Sequence, residues 1–169
     1  QANNTSLVTI TNAGKVKIDG AEVELQAQAL ESLLVKAGLA YTDARFVTFK
    51  NGGGAGVDFD GRRLPFAPRI KTTLSAEHAV EIGGLTVRSS LGYTFTDTQY
   101  SNPNNSAPTT IPRFELWNAR VALEGGNKTR WSVAMWARNL TDRVYTTFNG
   151  LNGLTTPRAI YGQPRSYGL

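Results

Sequence analysis

The sequence predicts an all-β chain, a membrane β-barrel fragment of about seven antiparallel strands in an open curved sheet, with short periplasmic turns and long extracellular loops. Three observations carry this. Apolar and polar residues alternate with period two in runs of about ten, the length a tilted strand needs to cross a bilayer core. The connections between runs alternate short and long. Aromatic residues collect at the ends of the runs, where a barrel carries its interfacial girdles.

The first run sets Ala21, Val23, Leu25, Ala27 and Ala29 against Glu22, Glu24, Gln26 and Gln28. Val23 to Ala37 is rich in helix formers, yet the alternation outweighs propensity and a strand is expected. Upstream, Val16 and Ile18 fall out of phase, with Asp19-Gly20 at the switch. Either a bulge at Gly20 restores the phase, or the strand rises above the bilayer, where its outer face can be charged. The second run alternates Leu33, Val35, Ala37, Leu39 and Tyr41 with Leu34, Lys36, Gly38, Ala40 and Thr42. The third covers Arg69 to Val80, with Ile70, Thr72, Leu74, Ala76 and His78 on the apolar side. The fourth, Leu85 to Thr96, sets Leu85, Val87, Leu91, Tyr93 and Phe95 against Thr86, Arg88, Ser90, Gly92 and Thr94. The fifth and sixth run over Trp117 to Glu124 and Trp131 to Arg138, and a seventh begins near Arg165. Strands of soluble sheets are usually nearer five or six residues. One lipid-facing surface must be continuous across neighbours, so Leu74, Val87, Leu91, Ala119, Val121, Val133 and Met135 are expected on one convex face.

The short connections are Glu31-Ser32, Glu81 to Gly84 and Gly125 to Arg130. The long ones are Phe46 to Ala67, Tyr100 to Arg113 and Thr147 to Pro164. A soluble sandwich has no reason to sort its loops by parity, whereas an outer-membrane barrel has tight turns inside and long loops outside. Tyr41, Tyr93 and Phe95 fall at long-loop ends and Trp131 at a short-turn end.

Composition narrows the function. There is no cysteine and only His78, so thiolate sites and a four-ligand zinc site are excluded, and no cofactor or metal is expected. Mean hydropathy is −0.28, which a barrel reaches by averaging its two faces. The net charge of +5 comes from scattered Lys and Arg without a basic run, so no nucleic-acid partner is expected. Gln1 to Ser6 is polar and reads as no secretion signal.

Individual motifs favour structure over chemistry. Asn51-Gly-Gly-Gly-Ala-Gly56 lacks the Gly-Lys-Ser/Thr of a phosphate loop and reads as a flexible outer loop. Asp58 and Asp60 lack the further ligands of a calcium loop. Asn139-Leu-Thr-Asp142 matches a glycosylation acceptor and also a turn-forming cluster, and the turn is favoured. Glu22 and Glu24 share one face as lumen-facing polar groups, and His78 lies on the apolar face near a short turn, so no enzyme activity is expected. Arg88, Arg120 and Arg138 share the polar face of three consecutive strands. They read as partners of carboxylates such as Glu77 and Glu124, or as a wall meeting an anionic ligand. Arg62 and Arg63 place further positive charge in a long outer loop.

Five segments occur in order: Lys17-Ile-Asp-Gly-Ala-Glu-Val-Glu-Leu25, Gly38-Leu-Ala-Tyr-Thr-Asp-Ala-Arg45, Arg63-Leu-Pro-Phe-Ala-Pro-Arg69, Arg138-Asn-Leu-Thr-Asp-Arg143 and Gln163-Pro-Arg-Ser-Tyr-Gly168. Together they resemble the C-terminal barrel portion of TonB-dependent outer-membrane receptors. The resemblance implies residence in the outer membrane of a Gram-negative bacterium, with lipid around the barrel. It implies energised uptake of a scarce nutrient: an iron chelate, a vitamin or an oligosaccharide. The implied partners are a plug domain, the remaining barrel strands and the TonB complex, engaged through an N-terminal part. No segment here resembles that plug or TonB box, and the last strand lacks the family's final aromatic, so 1–169 is expected to be truncated at both ends. In the intact receptor a ligand would meet the loops Val47 to Pro65 and Tyr100 to Pro112, then the wall at Arg88, Arg120 and Arg138. Two alternatives stay open: a passive porin-type channel, and a soluble antiparallel β module binding carbohydrate on Trp117 and Trp136.

Overall fold

The structure, a computed structural model, describes residues 14–126, 130–152 and 156–169. In chain order its strands are β1 (Lys15–Leu30), β2 (Leu33–Thr48), β3 (Ile70–Ile82), β4 (Leu85–Thr96), β5 (Gln99–Tyr100), β6 (Thr110–Ile111), β7 (Phe114–Gly125), β8 (Trp131–Arg138), β9 (Thr146–Asn152), β10 (Thr156–Tyr161) and β11 (Ser166–Gly168). Seven of them form one antiparallel sheet in the order β1-β2-β3-β4-β7-β8-β11, with β1 and β11 as its edges. The alternating runs are therefore strands, each hydrogen-bonded to its sequence neighbour in the sheet. Where the β3–β4 hairpin turns, Gly83 and Gly84 have φ of 61° and 80°, the left-handed pair that a two-residue hairpin turn requires.

Two details go beyond the sequence reading. Thr147 to Pro164 is not a plain loop, because β9 and β10 pair within it as a two-stranded ribbon, Pro157 opposite Leu151. Gly20 carries no bulge: the β1–β2 register runs unbroken from Val16↔Phe46 through Gly20↔Thr42 to Gln28↔Leu34. Of the two explanations for the phase change, the register excludes the bulge. Glycine is needed there for close approach, since a Cβ at Gly20 would lie 2.7 Å from the Tyr41 carbonyl oxygen.

Register turns the alternation of each strand into two continuous faces. One row reads Val35, Ala76, Leu91, Ala119, Ala137, Tyr167 across six strands. The next, one residue away, reads Gln28, Leu34, Glu77, Ser90, Arg120, Trp136. Leu74, Val87, Leu91, Ala119, Val121, Val133 and Met135 share the first face. Shallow concavities of about 500, 620 and 390 Å³ are lined mainly by polar-face residues such as Gln26, Ser75, Glu77, Ser90, Asn118 and Arg120. The polar face is concave and the apolar face convex.

Among the described residues the apolar face has no partner layer. Leu25 is 64% exposed and Met135 63%, whereas the buried apolar side chains Phe46, Phe49, Phe59 and Ile111 lie at the long-loop end. A folded soluble domain rarely exposes so large a contiguous apolar surface. Trp117 pairs across the sheet with Tyr93 on the convex face, ring centroids 4.7 Å apart, and Trp136 lies on the concave one. They share no face, so they form no common carbohydrate platform.

Two expectations follow. In the intact barrel, Leu91→Arg should cost roughly 2–4 kcal/mol in equilibrium unfolding from lipid, and Ser90→Arg far less; equal costs would contradict the assignment of faces. Expressed alone, this chain should need detergent, because its edge strands and apolar face are aggregation templates. A monodisperse monomer in plain buffer would contradict that.

Candidate functional site

The concave wall is a charge ladder. Arg88 Nε donates to Glu124 Oε2 at 2.9 Å, and Lys36 Nζ donates to Glu77 Oε1 at 2.9 Å. Arg88 stands opposite Ala122, which is fully buried, and its charge is neutralised by Glu124. Arg138 holds its guanidinium 5.3 Å from the Trp136 ring centroid. Arg120 lies between Ser90 and Trp136 and makes no ion pair among the described residues. Arg120, Arg138, Trp136 and Asn118 line the same groove of about 500 Å³. The three predicted wall arginines thus share one face but differ in state: one paired, one stacked on an indole, and one without a counter-ion. Cations in a narrow polar lumen raise the local anion concentration.

Above the wall, the long connections are laced together. Residues 49–69 dock on residues 97–113 through Arg62, whose guanidinium donates to the Asn104 carbonyl and lies 4.7 Å from the Phe59 ring. The Arg63 guanidinium donates to the carbonyls of Ala67 at 3.1 Å and Thr98 at 3.4 Å. Asn105 reads the Arg63 backbone from both sides: its Oδ1 accepts from the amide at 2.7 Å, and its Nδ2 donates to the carbonyl at 3.0 Å. Residues 97–113 are joined in turn to the β9–β10 ribbon, where Asn149 Nδ2 donates to the Thr110 carbonyl at 2.6 Å and Ser101 Oγ to the Asn149 carbonyl. Fully buried Ile111 marks the centre of this rim. Arg62 and Arg63 therefore fix the shape of the rim.

The remaining motifs resolve into anchors. Lys50 bridges Asp58 at 2.7 Å and Asp60 at 2.6 Å, closing the glycine-rich loop against Phe49 and Phe59. Hydrogen bonds from Lys50, with those from the amides of Asn51 and Phe49, hold both carboxyls below their ordinary value of 3.8. Depressed carboxyl values mean the clasp is intact above that value and opens only as pH falls through the lowered ones. Asn139 is buried, with its Nδ2 donating to the carbonyls of Arg143 at 3.0 Å and Gln163 at 3.1 Å, and its Oδ1 accepting from the Arg143 amide at 2.8 Å. The Asn139–Asp142 segment is the turn cluster, and it is tied to Gln163.

Sequence reasoning missed several of these roles. Asn118 and Trp136 lie on the same face as the arginines by the same alternation, which was the available signal. Asn102, Asn104 and Asn105 announce themselves only as a loop rich in asparagine. Lys128, on the third short connection, lies outside the described residues.

Truncating Asn139 to Ala leaves a buried amide and two carbonyls without partners at a residue whose φ is 50°. It should cost the intact barrel about 1–3 kcal/mol, seen as a lower unfolding midpoint. Asn139→Gly relieves only the backbone strain and should recover a small part.

The family model described as TonB dependent receptor-like, beta-barrel matches residues 1–140. A ferric-pyoverdine receptor from Pseudomonas sp. (strain M114) is 23% identical over 158 residues, which is 92% of this chain and 18% of the relative. The chain thus spans about a fifth of that relative's length. Among solved structures, the ferric yersiniabactin uptake receptor of Yersinia pestis superposes with a TM-score of 0.78 at 20% identity, covering 94% of this chain and 23% of the other. The ferric preacinetobactin receptor of Acinetobacter baumannii gives 0.70 at 23% identity, covering 90% and 21%. An open sheet with an apolar convex face, a polar concave face and a laced rim agrees with the family match, and the chain belongs to the TonB-dependent receptor-like β-barrel family.

Proposed function

We propose that this chain is the C-terminal part of the barrel of an outer-membrane receptor that takes up a scarce nutrient, an iron chelate, into a Gram-negative bacterium. The observation that carries the reading is the pairing of an unpartnered apolar convex face with a cation-bearing concave wall beneath a rim of laced loops. The convex face suits lipid, and the wall suits an anionic cargo. The iron chelate is favoured because relatives with the same barrel segment are ferric-chelate receptors. In this reading the chain performs no chemical step. A plug and the other strands complete the barrel, and the TonB complex supplies energy through a part outside this chain.

The loops meet the ligand first. Arg62 and Arg63 contribute by fixing the capture surface, and Arg120 and Arg138 by drawing the ligand's negative charge along the wall with Trp136 beside them. Arg88 serves the same wall while Glu124 balances its charge.

Uptake of radiolabelled ferric chelate by cells carrying the intact receptor tests this. Arg120→Glu should lower uptake roughly tenfold at equal surface expression, while Glu31→Gln, on a short turn, should leave it unchanged. Equal uptake by both variants would reduce the wall arginine to a structural role. Uptake that persists without the energising complex would favour the passive channel.

A further inference from the structure

The convex face of β1 and β2 changes character above the Ala21–Tyr41 pair. The next two pairs on that face, toward the long loops, are Asp19↔Asp43 and Lys17↔Arg45, carboxylate opposite carboxylate and cation opposite cation. Like charges directly opposite destabilise a sheet. Relief comes from within each strand: Lys17 Nζ lies 2.7 Å from Asp19 and Arg45 Nε 2.9 Å from Asp43. Arg69, immediately before β3, brings a third cation to within 3.7 Å of Asp43. Its Nε is closed off from solvent without a hydrogen-bond partner among the described residues. Three cations therefore share two carboxylates.

The height of this cluster matters. Successive same-face residues are about 6.8 Å apart along a strand. At a tilt of about 40° each step rises about 5 Å. Lys17 and Arg45 then stand about 10 Å above Tyr41, with Arg69 just above it. Directly below are the exposed lipid-facing side chains Val23, Leu25 and Leu39. Long basic side chains at such a boundary reach toward headgroups while their stems stay on apolar surface.

We propose that Lys17, Arg45 and Arg69 form a docking site on the outer wall for a membrane lipid whose headgroup is a phosphate monoester. The phosphate would sit among the three cations, whose charge exceeds that of the two carboxylates. The acyl chains would lie along Val23, Leu25 and Leu39. Charge complementarity and continuity with the apolar face favour a lipid over a soluble anion. The proposal rests on the reading of the convex face as lipid-facing.

The test is native mass spectrometry of the intact receptor in detergent. The titrants are phosphatidic acid and diacylglycerol, the same lipid without its phosphate. Wild type should retain phosphatidic acid and not diacylglycerol, and Lys17→Gln combined with Arg69→Gln should weaken retention roughly tenfold. Arg45 is left intact because it also donates to the Gly61 carbonyl. Arg158→Gln, on the β9–β10 ribbon, should retain the lipid as wild type does. Excess inorganic phosphate should not displace it. Equal retention by wild type and the double variant would overturn the site, as would displacement by free phosphate or equal retention of the two lipids. A double variant that no longer shows the heat-modifiable mobility of a folded barrel would be replaced by Lys17→Gln alone, expected to show a smaller loss and read the same way. Failure of the lipid-facing reading is distinguishable: the receptor would then stay dispersed without detergent, whereas failure of the site leaves a membrane-integrated barrel indifferent to phosphate.

Discussion

The whole arrangement depends on cross-strand register. Each strand alternates on its own, but two continuous faces exist only because like-facing residues meet across every neighbouring pair. A slip of one residue would carry Arg120 into the row of Leu91 and put Ala119 or Val121 in the groove. The cost of placing a cation on the convex face is what makes the register unique. Within the sheet the tight hairpins fix it locally, as at Gly83-Gly84, and the cross-strand pairs Lys36–Glu77 and Arg88–Glu124 fix it again on the concave side.

The strands and their faces were legible because period two survives in a single sequence. Ala21 to Ala29 was the hardest case, with a helix-forming composition, and β1 forms because its neighbour β2 supplies a partner at each step from Val16 to Gln28. The limits of the strands were less legible. β2 runs to Thr48, well past the last clean alternation, because β1 pairs with it as far as Lys15↔Thr48 and Phe46 packs with Phe49 and Phe59. Val16 and Ile18 fall on the concave face, opposite Phe46 and Ala44, both of which are buried. The ribbon β9–β10 was hidden because Asn, Gly, Pro and Thr suggest turns, and the contacts that hold it come from residues 97–113 far away in sequence.

The candidate site was legible in part. Alternation places Arg88, Arg120 and Arg138 on one face, yet it says nothing of which carboxylate each will meet. Glu124 lies beside Arg88 because residues thirty-six apart become diagonal neighbours, and Glu77 is taken by Lys36. For the loops, charge alone suggested that Arg62 and Arg63 face a ligand. Their guanidinium groups meet carbonyls and aromatic rings of the rim. Carbonyl partners carry no signature in a sequence, so no reading of side-chain types could have found them.

The segments that read as separate motifs are contacts of one another. Arg63 bridges Arg45, the Leu64 amide donates to the Ala44 carbonyl and the Thr42 amide to the Arg69 carbonyl, so the second and third segments form one structure with the first on their flank. Asn139 reaches the Gln163 carbonyl and the Arg165 amide donates to Asp142, which joins the last two. Their order along the chain is therefore a record of two knots at the long-loop end of the sheet. The first sets where the polar extension of β1 and β2 begins, and with it the level at which Lys17, Arg45 and Arg69 stand. The second fixes the end of β8 beside Arg138. Between them lies the groove around Arg120, whose charge has no partner among the described residues, so these knots determine where on the wall that cation stands.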